Sequence, residues 1–275
     1  MLKPTLSSSS ILASLAILAF ASLPTLQPAT AQAALSSTNA QSTNMPQAHQ
    51  ALTQILTTYV KTNADGVNRF DYGALKANAA DSAILDAYID SYATLDIAAL
   101  PKPDQYVAWV NLYNAVTVQY IRDRYPTRSI RSGYIIGPWK KVHANVNGEK
   151  ISLNDIEHEV LRKQWSDPRT HYAVNCASFG CPNLKPTAWE TATLEQDLDA
   201  AARAYINHPR GVTIRRDGRL QVSTIYKWFR EDFGDSEAGV IEHLRTYAEP
   251  DLRAKIDANP DIRNYEYDWS LNDIK

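Results

Sequence analysis

The chain has 275 residues, of which 44% are apolar and 21% are charged, and it carries 10 glycines, 14 prolines and 2 cysteines. This composition is typical of a globular protein with a substantial core, and it excludes collagen-like, highly charged disordered, disulfide-dense and four-cysteine zinc proteins. Because 28 basic residues face 30 acidic ones, for a net charge of -2, we expect no nucleic-acid partner.

The N-terminal segment carries almost no charge, since no Asp, Glu, Lys or Arg lies between Lys3 and Lys61. Within it, Ile11–Leu23 is an apolar run too short to span a membrane. Together with Lys3 and the small-residue sequence Ala31-Gln32-Ala33, this run predicts a cleavable signal peptide over residues 1–33. No cysteine follows the run to take a lipid anchor. We therefore expect a periplasmic or secreted protein with no stable membrane span after cleavage.

The next segment, residues 34–46, belongs to a Ser-, Thr-, Asn-, Gln- and Ala-rich stretch without aromatic or charged residues. Such a stretch cannot bury enough surface to offset the entropy of ordering it, so it predicts a flexible leader. Residues 47–275 show no internal repeat and no second linker, and their length fits a single domain.

Helical spacing opens the predicted domain, since Leu52, Ile55, Leu56 and Tyr59 follow an i, i+3, i+4, i+7 pattern. This helix should end near residues 63–66, before a short extended piece. Further helices are predicted over Ser82–Tyr92, Asp104–Arg124, Leu153–Gln164, Ala188–Asn207, Thr224–Asp232 and Glu237–Ala248.

Strand signals are fewer. Two hairpins are predicted around Asn147-Gly148 and Asp217-Gly218, because these turns need positive φ. Tyr172–Cys176 and Tyr265–Trp269 are two more candidate strands. The predicted fold class is therefore α+β, a helix-rich single domain with a small antiparallel sheet.

Two asparagines interrupt the apolar middle of the predicted helix Asp104–Arg124. Asn111 and Asn114 lie three residues apart on one face, and a buried carboxamide without partners is costly. Two alternatives follow: a structural latch to nearby backbone, or the wall of a binding site.

The segment Ile151–Arg162 begins with a capping-box pattern, Ser152 followed by Asp155 three residues later. Helical spacing turns Glu157 toward the apolar side and Glu159 away from it. The inward carboxylate of Glu157 could form an ion pair or orient a catalytic imidazole.

The segment His171–Leu184 carries both cysteines of the chain. Cys176 and Cys181 could form a disulfide that closes a small loop, as is natural in an exported protein. Alternatively, Cys176 is a thiolate nucleophile activated by a histidine that Asn175 or Glu157 orients. A metal site is not predicted, because Cys-x4-Cys with His171 matches no common zinc spacing.

A geometric objection affects the nearest base. On a regular strand His171 and Cys176 face opposite sides, so their contact requires a bulge or turn at Asn175-Cys176. Otherwise His143 or His158 would have to serve as the base.

Five segments resemble the family catalogued as domain of unknown function 547, or DUF547. They are AWVNLYNAVTV (Ala108–Val118), ISLNDIEHEVLR (Ile151–Arg162), HYAVNCASFGCPNL (His171–Leu184), VSTIYKWFREDFG (Val222–Gly234) and YEYDWSLN (Tyr265–Asn272). The resemblance runs from about Leu52 to the C-terminus and implies no established activity. The positions that match the family's motif are Trp109, Asn111, Asn114, Glu157, Arg162, His171, Cys176, Cys181, Pro182, Trp228 and Phe229.

A weaker likeness connects the expected layout with papain-like and transglutaminase-like thiol enzymes. Those families place the nucleophile at the start of the central helix, where this chain has no cysteine between Asp104 and Asn111. Either the nucleophile has moved to Cys176, or the scaffold binds a ligand without hydrolysis.

Two functional hypotheses therefore stand. The first is a thiol-dependent hydrolase or acyl transferase with Cys176, His171, Asn175 and Glu157 at its site. The second is a non-catalytic binding or interaction module with a Cys176–Cys181 disulfide, in which Trp109, Asn111 and Asn114 contribute to ligand binding. A peptide, glycan or protein ligand is expected in either case. No cofactor is expected, because the chain lacks a Gly-rich phosphate loop.

Overall fold

The structure is a computed structural model that describes residues 49–274. The predicted signal peptide and leader, residues 1–46, lie outside the described residues, so their boundaries stay predictions. The described residues form an α+β fold in one domain, as the sequence predicted.

The first half of the fold is mostly helical. Helix α1 covers residues 49–59 and leads into a hairpin of β1 (Val60–Thr62) and β2 (Asn68–Phe70). The helices that follow are α2 (Tyr72–Ala77), α3 (Ala79–Asp90) and α4 (Lys102–Arg124). Helix α1 thus ends earlier than predicted, since residues 60–62 pair as a strand.

The middle of the chain combines a hairpin with short helices. Strands β3 (His143–Val146) and β4 (Glu149–Ser152) pair across the predicted turn at Asn147-Gly148. A π-helix (Asp155–Leu161), α5 (Arg162–Trp165), α6 (Thr170–Ala173) and α7 (Leu194–Ile206) follow.

The C-terminal part builds a three-stranded sheet. Strands β5 (Val212–Ile214) and β6 (Leu220–Ser223) form the second predicted hairpin, and β7 (Ile262–Glu266) pairs with β6 in parallel. Between β6 and β7 lie α8 (Ile225–Trp228), a 3₁₀ turn (Arg230–Phe233), α9 (Glu237–Tyr247) and α10 (Pro250–Ala258).

Two strand predictions differ from the structure: the strand predicted over Tyr265–Trp269 overlaps β7 only at residues 265–266, and the strand predicted over Tyr172–Cys176 is absent. The segment predicted as a strand over Tyr172–Cys176 begins instead as the last residues of the one-turn helix α6, and the chain becomes extended only from Val174. Helix α6 is held by backbone hydrogen bonds such as that from Val174 N to Thr170 O. The alternation that separated His171 from Cys176 therefore does not apply.

Helix α4 forms the centre of the larger core cluster. It begins after Pro101, ends before Pro126 and buries most of its middle, as an apolar helix inside a domain must. A second apolar cluster lies between α7, α9 and the β5–β6–β7 sheet. Side chains of both clusters line one cavity.

Candidate functional site

A cavity of about 440 Å³ opens where the two core clusters meet. Such a volume suits a small ligand or the side chain of a larger one. Six of its 17 lining residues are Tyr, Trp or Phe, and the lining also includes carboxylate, guanidinium, imidazole and sulfur groups. The lining includes Tyr113, Arg131, Ile136, Trp139, Glu157, His158, His171, Cys176, Cys181, Trp228, Phe229, Tyr267 and Trp269.

Four of these side chains form one contiguous aromatic cluster, namely Trp139, Trp228, Tyr267 and Trp269. The ring centroids of Trp228 lie 4.9 Å from Tyr267 and 5.4 Å from Trp269, and Trp139 packs edge-on at 5.7 Å from Trp269. Trp228 stays 46% exposed. The cluster therefore presents aromatic surface to the cavity at its solvent side.

Glu157 supplies a buried carboxylate to the cavity. Its position on the buried side, with Glu159 exposed, agrees with the sequence prediction, and the capping box between Ser152 and Asp155 is present at its helix start. The segment is a π-helix, a wider turn that often occurs at functional sites.

The partner of Glu157 is a tyrosine from the central helix. Tyr113 donates its hydroxyl proton to Glu157 Oε2 at 2.9 Å. Burial, and then the neighbouring carboxylate, raise the pKa of Tyr113 well above its ordinary value, so this phenol remains a donor. One carboxylate oxygen is thereby fixed, and hydrogen-bonding capacity is left on the cavity side.

His171 pairs with Asp232, a residue that the sequence analysis did not select. The His171 Nε2 atom lies 2.6 Å from Asp232 Oδ2, and the imidazole stacks on Phe229 with centroids 4.1 Å apart. Arg162 donates from Nε to the same carboxylate oxygen at 2.5 Å. The imidazole is thus oriented by a carboxylate, although not by Asn175 or Glu157.

The pairing with His171 and Arg162 lowers the pKa of Asp232. Burial acts to raise it, but hydrogen bonds from His171 and Arg162 outweigh that effect and lower the pKa to about 2. Asp232 is therefore ionised at neutral pH.

Cys176 and Cys181 form a disulfide, which is one of the two alternatives that the sequence left open. Tyr267 lies against both sulfurs, with its hydroxyl 3.0 Å from Cys176 Sγ and 3.1 Å from Cys181 Sγ. In the described part of the chain, no histidine is a hydrogen-bond partner of Cys176. In this oxidised form, Cys176 is not a free nucleophile.

Asn175 shapes the turn that carries Cys176. Its Oδ1 accepts from Ala177 N at 2.8 Å and its Nδ2 donates to Pro182 O at 2.7 Å. Ala177 has a φ of 60°, a left-handed conformation that needs such support in a non-glycine residue. Asn175 therefore stabilises the disulfide loop. The catalytic roles that the sequence predicted for Cys176, His171, Asn175 and Glu157 stay predictions.

Asn111 and Asn114 bind backbone, as the latch alternative expected. Asn111 exchanges two hydrogen bonds with the main chain of Trp189, and Asn114 donates to Ala173 O and accepts from Asn175 N. Neither residue lines the cavity, and Trp109 packs against the larger core cluster. Their predicted binding role stays a prediction.

Residues 49–274 contain neither a cluster of metal-ligating side chains nor a helix that could span a membrane. Three or more His, Cys, Asp or Glu side chains are nowhere grouped there in a way that could hold a metal ion. Within the same residues, no helix combines the length and apolar character needed to cross a membrane.

Sequence reasoning missed most of the cavity lining. Trp139 lies outside the segments that carried the family resemblance. Tyr113, Tyr267 and Trp269 lie inside them but were not selected, because aromatic residues are more often core. Asp232 did lie inside one of the segments that carried the family resemblance, next to the matching Trp228 and Phe229. An acidic residue in such a segment was the available signal.

The comparison with known families supports the resemblance noted from the sequence. The family model of DUF547, described as a protein of unknown function, matches residues 97–206. The matched segment contains α4, the π-helix, His171 and the disulfide loop, whereas Asp232 and Trp228 lie beyond it. Neither the curated proteins nor the solved structures contain a significant match.

Proposed function

We propose that the chain is an exported binding module whose cavity takes an organic ammonium group carried by a peptide ligand. The observation that supports it is the position of the aromatic cluster and the buried carboxylate of Glu157 around one cavity. Aromatic faces attract cations through the ring quadrupole, and a desolvated carboxylate adds a direct charge interaction. A lysine side chain or a peptide amino terminus offers such a group.

The negative charge of the Glu157 carboxylate favours a cationic ligand over a neutral one. Tyr113 and Glu157 share one hydrogen bond, which leaves the negative charge of Glu157 uncompensated by any ion pair within the described residues. Arg162 is already paired with Asp232, and Arg131, the cation of the cavity lining, lies over the ring of Trp269 and forms no ion pair with Glu157. An incoming ammonium group would supply the missing positive charge.

The disulfide supports binding over catalysis. Because Cys176 is bonded to Cys181, the loop between them is covalently closed beside the cavity. A closed loop reduces the conformational freedom that a binding site must lose when it takes a ligand.

Tryptophan emission offers the direct test, because three of the six tryptophans, Trp139, Trp228 and Trp269, line the cavity. The purified protein is titrated with choline and with Nα-acetyl-lysine amide, and the neutral 3,3-dimethylbutan-1-ol serves as the isostere of choline. We expect saturable quenching by both cations and about tenfold weaker binding of the neutral alcohol.

A matched pair of variants tests whether the charge of Glu157 binds the ligand. Glu157→Gln keeps an oxygen for Tyr113 and removes the charge, so choline affinity should fall about tenfold. Glu159→Gln, two residues away and exposed, should leave it unchanged. Equal binding of choline and its neutral isostere would reject the ammonium proposal, and saturable quenching by an oligosaccharide alone would indicate a glycan site.

A thiol-dependent enzyme is the second candidate, because His171, held by Asp232, lines the same cavity as Cys176. This function requires reduction of the disulfide by an external dithiol, which returns both sulfurs as thiols. After reduction, iodoacetamide should label Cys176 well below pH 8, and His171→Ala should abolish that fast labelling. Slow labelling that is unchanged in His171→Ala would exclude the thiol-enzyme candidate.

A further inference from the structure

In the segment from the end of α4 to the residue before β4, all charged side chains are positive. Residues 124–148 contain five cations, Arg124, Arg128, Arg131, Lys140 and Lys141, and no Asp or Glu. We call residues 124–141 the basic loop. All of its cations except the half-buried Arg131 are exposed.

None of these cations forms an ion pair with another described residue. Arg124 and Lys141 instead lie over the ring of Tyr134, at 5.8 Å and 5.4 Å from its centroid. Arg131 lies 4.8 Å from the ring centroid of Trp269 and donates to Ile135 O. The positive charge of the loop therefore remains available to a partner outside the chain.

The tip of the basic loop is apolar and extends into solvent. Ile135 is 89% exposed and Ile136 is 87% exposed, and Trp228 at the cavity is the next most exposed large apolar side chain in the described residues. Gly137 makes this shape possible, because it has a φ of +100° and a Cβ there would meet the ring of Trp139. The chain can thus turn the two isoleucines outward while Trp139 folds back into the cavity.

We propose that the basic loop docks the protein on the surface of an anionic lipid bilayer. Exposed aliphatic side chains surrounded by cations and next to a tryptophan are the combination that interfacial membrane binding requires. The isoleucines would enter the headgroup region while the four exposed cations face lipid phosphates. Charge complementarity selects this partner, because a neutral apolar surface would leave the four exposed cations without counter-charges.

Docking by this surface also orients the cavity. Ile136 belongs both to the tip and to the cavity lining, so the opening faces the bilayer when the tip is inserted. This inference does not depend on what the cavity binds.

Cosedimentation with vesicles tests the docking. One set of vesicles contains phosphatidylcholine alone, and the other contains equal parts of phosphatidylcholine and phosphatidylglycerol. We expect binding only to the anionic set, weakened at least tenfold when NaCl rises from about 50 mM to about 500 mM.

Charge variants separate the basic loop from the overall charge. Lys140→Gln/Lys141→Gln should weaken binding to anionic vesicles about 30-fold. The control Arg253→Gln/Lys255→Gln removes two exposed cations from α10 and should change binding less than about twofold. Equal losses in both variants would overturn the proposal in favour of a diffuse charge effect.

The apolar tip is tested in the same assay. Ile135→Ser should weaken binding about fivefold, Ile135→Trp should strengthen it with a blue-shifted emission on vesicles, and the control Ile274→Ser should have no effect. Absence of vesicle binding would overturn the proposal. Equal binding to a soluble polyanion such as heparin, independent of Ile135, would also overturn it and assign the loop to a polymer.

Discussion

Two buried polar regions on either side of α4 differ in how completely they are paired. Asn111 and Asn114 exchange hydrogen bonds with the main chain of Trp189, Ala173 and Asn175, and neither lines the cavity. Glu157 is held by Tyr113 on one oxygen and lines the cavity. The asparagine region is internally paired, whereas the cavity region keeps capacity for a partner.

This difference predicts that the asparagine region contributes to the stability of the fold and that the cavity region contributes to ligand binding. A buried polar group with all partners inside the protein costs stability when it is removed, because those partners lose their hydrogen bonds. A group that faces a cavity can exchange its contact with solvent for a contact with a ligand. Substitutions in the asparagine region should therefore lower stability, whereas loss of the Glu157 charge should leave stability nearly unchanged.

The largest effect is expected at Asn114. Replacement by Ala leaves Ala173 O and Asn175 N buried without their partner, so the free energy of unfolding should fall by about 2–4 kcal/mol. Urea unfolding of the purified variant measures this. Asn145→Ala, at an exposed position of β3, is the control and should stay within about 0.5 kcal/mol. Equal losses in the two variants would mean that Asn114 is not a latch.

The disulfide comes next. Its two cysteines are separated by five positions, and for so short a loop the chain-entropy model gives about 2 kcal/mol of stabilisation. Cys176→Ser/Cys181→Ser should lose that amount in urea unfolding, and the reduced wild-type protein should match the variant. If reduction leaves the unfolding midpoint unchanged, the disulfide does not stabilise the cavity region.

The asparagine region and the cavity region could be predicted from the sequence to different extents. Helix α4, both hairpins and the capping box at Ser152 could be predicted because each depends on neighbours close in sequence or on a short motif. The Cys176–Cys181 disulfide could be anticipated only as one of two alternatives. The latch of Asn111 and Asn114 could be anticipated as one of two alternatives, since burial alone requires partners for a carboxamide.

The cavity could not be predicted, because it depends on distant contacts. Asp232 meets His171 across 61 positions, and no local pattern encodes that distance. The error at residues 172–176 has another origin. A short apolar run fits a strand and a buried helical turn equally well, and in the structure α6 covers its first residues.

Acid pH should reveal the contribution of Asp232. Its pKa lies at about 2, below its ordinary value of 3.8, so its stabilising contribution is present above about pH 4 and is lost as the pH falls toward 2. Because the side chain is partly exposed, solvent screening limits this contribution to about 1 kcal/mol. Between pH 5 and pH 2, the wild type should lose about 1 kcal/mol more than Asp232→Asn, measured by thermal unfolding. Parallel pH curves would show that the carboxylate does not stabilise the fold through His171 and Arg162.

The smallest effect on stability is expected for Glu157→Gln, and comparison with Glu157→Leu separates the charge of this residue from its hydrogen bond. Glu157→Gln keeps an acceptor for the Tyr113 hydroxyl, so the free energy of unfolding should change by less than about 0.5 kcal/mol. Glu157→Leu removes that acceptor and should cost about 1–3 kcal/mol, because the buried phenol loses its partner. If Gln were as destabilising as Leu, the charge itself would hold the fold, and Glu157 would belong with the latch residues. A large difference between the two variants means that the hydrogen bond stabilises the fold, which leaves the negative charge of Glu157 free to serve a ligand.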